Sequence, residues 1–165
     1  MSAQENNEAH EGITLSPRDV RNAVRLLELL KTHRNGSDEG RSRENLLLTA
    51  RFLFDAREGR AAHFSPAMFG EPAWDLLLAL YLTQADVPAP AVSSLAKTAG
   101  IPITTAFRWI DYLEERHLVE RQRSSADGRA LTIALSKDGT ARLERYFGDV
   151  LAGIVAARQA FDLQQ

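Results

Sequence analysis

The chain is predicted to be mainly α-helical, with one small β-hairpin placed just before its last helix. Three observations predict this. Apolar residues recur at three- and four-residue intervals along most of the chain. Proline and glycine punctuate those runs at Ser16-Pro17, Asn35-Gly36, Gly70-Glu71-Pro72, Pro88, Pro90, Gly100 and Pro102. The pattern changes once, where two short runs between Leu118 and Leu135 flank the turn formers Ser124-Ser125-Ala126-Asp127-Gly128.

The elements follow in order. Residues 1–15 are polar and aperiodic and are expected to form a disordered tail. Ser16 supplies an N-cap and Pro17 a first-turn proline for a helix carrying Val20, Val24, Leu27 and Leu30, which should stop near Asn35-Gly36. After a loop over Gly36–Ser42, a second helix is expected from Arg43 to Glu58, its apolar face made by Leu46, Leu47, Ala50, Leu53 and Phe54. A third opens at Pro72 and holds Trp74, Leu77, Leu78 and Tyr81. Pro88 and Pro90 forbid helix in the linker beyond it. Ser93 or Ser94 then caps a short helix, Leu95 to Ala99, and Pro102 begins another that runs to about Arg116. Strands are expected at Leu118–Arg123 and Ala130–Leu135. Ser136 caps a long final helix with Leu143, Tyr146, Phe147, Val150, Leu151, Ile154 and Val155 on its apolar side. Residues 16–71 thus read as N-terminal helices for packing and dimerisation, 72–136 as the core, and 137–165 as a C-terminal dimerisation helix.

Composition narrows the function. A length of 165 residues fits one domain with helical extensions, and 44% apolar residues can bury a real core. There is no cysteine, which excludes disulfides and thiolate metal sites in this sequence. The four histidines have no partners at metal-ligand spacing, and neither a Gly-x-Ser-x-Gly turn nor a phosphate-cradling glycine loop occurs. No cofactor, no metal and no catalysis are expected. The acidic N-terminus lacks the basic start of a secretory signal. The longest apolar run, Leu76 to Leu82, falls far short of a membrane span. A cytoplasmic protein without membrane contact is expected.

Net charge is −2, but residues 89–136 carry six basic and five acidic side chains. A polyanionic partner would therefore be met by a few placed arginines rather than a broad positive field.

The informative stretch is Ser93 to Gly139. Two helices joined at Gly100-Ile101-Pro102 make a helix-turn-helix, and the hairpin after them makes a wing. Leu95, Ala96 and Ala99 can brace Ala106, Ile110 and Leu113, which leaves Thr104, Thr105, Arg108, Asp111 and Glu115 on the opposite face. Hydroxyls and an arginine occupy the N-terminal half of that face and acids the C-terminal half. This is the polarity expected of a helix that enters a major groove N-terminus first.

The ordered series Leu95-Ala96, Gly100-Ile101, Thr104-Thr105, Arg108, Leu113-Glu114-Glu115-Arg116-His117-Leu118-Val119, Asp127-Gly128-Arg129 and Leu135-Ser136-Lys137-Asp138-Gly139 resembles the winged-helix core of the MarR family of regulators. The resemblance implies that Thr104, Thr105 and Arg108 lie in the major groove of double-stranded DNA. It further implies that Arg129 reaches the minor groove while Asp127 holds the wing in shape. The sequence departs from the family at His117, where glycine is usual, and in having two expected helices rather than one before the helix that opens the winged core.

Other readings accompany these. Arg121 and Arg123 share one face of a strand and are either phosphate contacts or plain surface. Phe107 is assigned to the core, although it could touch a thymine methyl, and Trp109 is assigned to packing. The apolar seams of the first and last helices point to a homodimer, whose recognition helices would sit about 34 Å apart and demand a near-palindromic site. The expected function is a sequence-specific transcription regulator, a repressor. A winged-helix module for protein contact is the alternative favoured by the near-neutral charge. The identity of any small-molecule effector is left open.

Overall fold

The computed structural model describes residue 24 and residues 39–60, 63–83, 89–123 and 131–162. Among the described residues, α1 spans Glu39–Gly59, a 3-10 turn spans Pro66–Phe69, and α2 spans Pro72–Thr83. Helices α3 (Val92–Thr98) and α4 (Ile103–Glu115) follow, then β1 (Val119–Arg123), β2 (Leu131–Leu135) and α5 (Lys137–Asp162). The mainly helical winged fold is the one the sequence predicts. The helix expected from Pro17 to Asn35 and the expected tail lie outside the described residues, except Val24, which is helical and exposed.

The core gathers around α2. Its run Leu76–Leu82 is apolar on every side and buried except at the half-buried Leu77, and a helix of that kind must be covered all round. Helix α1 lies against one side, α3 and α4 against another, and β2 against a third. Aromatic side chains from α5 close the remainder. Phe147, fully buried, stands 4.9 Å from the Tyr81 ring and 6.4 Å from Trp74, while Tyr146 meets Trp74 edge-on at 5.2 Å. Burial and the neighbouring Glu144 carboxylate push the Tyr81 phenol up to about 12, so it stays protonated and donates to Glu144 across 3.4 Å.

Helix α1 is fixed to α2 by Arg57. Its guanidinium meets Asp75 at 2.7 Å and Glu71 at 2.9 Å, both carboxylates standing at the N-terminal end of α2 where negative charge is favoured. No helix among the described residues is long and apolar enough to cross a membrane.

Three local expectations are corrected. Glu39 to Ser42 are helical rather than loop. Ser93 and Ser94 do not cap α3; they lie exposed inside its first turn, and Ala91 is the N-cap. The cause is a short pairing the sequence did not reveal. Ala91 bridges Thr132, and the Pro90 carbonyl accepts the Ile133 N–H at 3.0 Å, so the chain stays extended through Ala91. Pro102, likewise, is the N-cap of α4 rather than its first residue.

Candidate nucleic-acid interface

The turn between α3 and α4 is set by backbone chemistry. Gly100 adopts φ +68°, its N–H donates to the Lys97 carbonyl at 3.2 Å, and the Ile101 N–H reaches the Ala96 carbonyl at 3.0 Å. This pair of bonds ends a helix with its last carbonyls satisfied and needs a left-handed residue, a role glycine fills without strain. Ile101 then packs on the core and aims α4 outward.

Helix α4 buries Ala106, Ile110 and Leu113. That choice of face dictates the rest. Thr104 and Arg108 are exposed on the opposite side, Thr105 is half-buried at its edge, and Asp111 and Glu115 are exposed further along. Arg108 rests 5.9 Å from the Trp109 ring and makes no ion pair among the described residues. Trp109 packs partly against the core, as expected, and meets Tyr112 edge-on at 5.2 Å.

Phe107 is not core. It is 46% exposed, as is Ile103 one turn before it. The buried stripe is narrow because Ala106, Ile110 and Leu113 already fill the contact with α3 and α2, and Phe107 falls beyond its edge.

The far end of α4 repeats the device of α3. The His117 N–H donates to the Glu114 carbonyl at 2.8 Å and the Leu118 N–H to the Leu113 carbonyl at 3.0 Å. The left-handed position is occupied by His117, at φ +57°, the position where the sequence departs from the usual glycine. A left-handed non-glycine residue costs about 1–2 kcal/mol, and a new glycine loosens the unfolded chain by about 0.4–1 kcal/mol. His117→Gly should therefore gain about 0.5 kcal/mol as the difference between those costs, read as a higher urea midpoint. An unchanged or lower midpoint would show that the side chain itself stabilises the turn.

From this turn the chain enters the wing. Val119 pairs with Leu135, Arg121 with Ile133, and Arg123 with Leu131. Alternation puts Val119 and Arg121 on the inner face, and Arg121 turns onto α4, pairing with Asp111 and with Glu114 at 3.0 Å. The Arg121 charge is thus matched by acids of α4. Arg123 occupies the last position of β1. Asp127 and Arg129 lie outside the described residues.

The base of the wing is tied to α5 through Ser136. Its hydroxyl donates to the His117 carbonyl at 2.5 Å and accepts the Gly139 N–H at 2.9 Å, while its own N–H donates to the Leu118 carbonyl at 3.0 Å. The expected cap is present, and it joins three elements rather than one.

The structure thus brings Thr104, Thr105 and Arg108 together on one outward helix beside a two-stranded wing. Sequence reasoning passed over Ile103, assigned Phe107 to the core, and missed the Arg121 pairing, which depends on the register of the hairpin.

These features define a winged helix-turn-helix protein. Residues 75–131, from α2 to the first residue of β2, match the family model described as MarR family. Similar solved structures include the transcriptional repressor CouR bound to a 23-mer DNA duplex, 30% identical over 60% of this chain and 64% of that one, with a TM-score of 0.40. The PcaV transcriptional regulator from Streptomyces coelicolor, in complex with its natural ligand, is 24% identical over 67% of this chain and 77% of that one, with a TM-score of 0.42. A MepR variant from S. aureus is 20% identical over 70% and 80%, with a TM-score of 0.46. The chain spans less than two thirds of the length of the CouR chain. No curated protein matches it.

Proposed function

We propose that the protein is a sequence-specific DNA-binding transcription regulator, a repressor acting as a homodimer on a near-palindromic site. The observation that carries this reading is the exposed N-terminal half of α4, with Thr104 and Arg108 facing outward and the wing beside it. Thr104, Thr105 and Arg108 enter the major groove. Arg123 and Arg129 serve the wing's contacts with the DNA backbone and minor groove, and Asp127 shapes the wing tip. No catalytic step is part of this function.

The dimer is supported by α5, whose 26 residues run past the last core residue, Leu151, and leave Ile154 and Val155 only half-buried. A small-molecule effector has room in a cavity of about 340 Å³ lined by Phe54, Arg60, Phe64, Phe69 and Gly100. A ligand there would bear directly on the turn that aims α4.

The near-neutral charge favours a second reading, a winged module that binds a protein. Salt separates the two. Affinity for a selected palindromic duplex should fall steeply as salt rises, because each phosphate neutralised releases counterions. Arg129→Ala should weaken binding to all duplexes and flatten that slope by about one unit. Absence of any duplex binding at low salt would favour the protein partner instead.

A further inference from the structure

We propose that Ile103 and Phe107 read thymine methyl groups, so that the bound site carries a thymine beside the base pair met by Arg108. The inference rests on the DNA-binding reading above and deepens it. Both side chains are 46% exposed, and they lie one turn apart on the first two turns of α4. Scattered exposed apolar residues are ordinary on a protein surface. These two are not scattered. They flank Thr104 and Arg108 on the segment of a recognition helix that reaches base edges.

Their flank is the one that continues into Asp111 and Glu114, where Arg121 from the wing covers the acids. The apolar pair is the part of this flank that Arg121 leaves open. Neither side chain can donate or accept a hydrogen bond, so neither can read the polar edges of guanine, cytosine or adenine. The thymine C5-methyl is the one apolar group that a base pair presents in the major groove. An isoleucine–phenylalanine stripe laid there therefore selects thymine by burying that methyl.

The test uses the full chain and a duplex selected from a random pool, with each thymine replaced in turn by deoxyuridine. That exchange removes the methyl and keeps every hydrogen-bonding group. Binding should weaken about fourfold per methyl lost at one or two positions of each half-site, the effect of one buried carbon. In Phe107→Ala the same duplexes should bind with the penalty gone at the affected position, and Ile103→Ala provides a second variant. Thermal melting confirms that both fold, as their exposure leads one to expect. Specific binding with no deoxyuridine penalty, or a penalty unchanged in both variants, overturns the inference and leaves the DNA-binding reading standing. No specific duplex binding by the unmodified protein overturns the reading itself.

Discussion

Gly139→Ala is expected to lower the stability of the fold by about 3 kcal/mol, at the upper end of what forced overpacking costs. A Cβ at Gly139 would overlap the Leu118 carbonyl oxygen and come within 3.0 Å of its carbon, both backbone atoms that no rotamer change can move aside. That carbonyl already accepts the Ser136 N–H, and the Gly139 N–H is held by the Ser136 hydroxyl. Relief of the overlap must therefore open the bonds that join the end of α4, the start of β1 and the start of α5. Two other glycines of α5 provide the control. A Cβ at Gly148 or Gly153 meets nothing within 4 Å, so alanine there should gain up to about 1 kcal/mol from helix propensity. Urea unfolding of the three variants decides it. A Gly139→Ala midpoint equal to the parent would mean that the α5 junction is looser than drawn.

Much of this junction could be read from the sequence, because its signals are local. Gly100 two residues before Pro102 marks a helix end and a helix start, and Ser136 three residues before Gly139 is an N-cap at its usual spacing. The 106, 110 and 113 spacing fixes which side of α4 is buried, and with it the outward side carrying Thr104 and Arg108.

The features that escaped depend on partners distant in sequence. Ser93 and Ser94 are good capping residues, yet the bridge from Ala91 to Thr132 starts α3 earlier. Arg121 looks like any exposed strand arginine until the Arg121–Ile133 register turns it towards Asp111 and Glu114. Phe107 is large and apolar, properties that favour burial, but its angular position on α4 lies beyond the stripe that α2 and α3 can cover. Residue type alone cannot locate the edge of such a stripe; the packing partners do.

Arg108→Ala is expected to weaken binding to the preferred duplex by about 10- to 100-fold, the range set by loss of one bidentate arginine–guanine contact. Arg57, Arg121 and Arg142 each pair with a carboxylate, whereas among the described residues Arg108 has only the Trp109 ring beside it. On the proposed reading its guanidinium presents two parallel donors to guanine O6 and N7. Loss of a base contact should relax preference at one base pair per half-site while binding to random duplex changes little. Arg108→Lys separates this role from a phosphate contact. Lysine keeps the charge but not the planar fork, so it should recover affinity for random DNA without restoring the base preference. A lysine variant that binds and discriminates like the parent would place Arg108 against the backbone. The alanine variant would then show a salt slope reduced by about one unit and the same ranking of sequences.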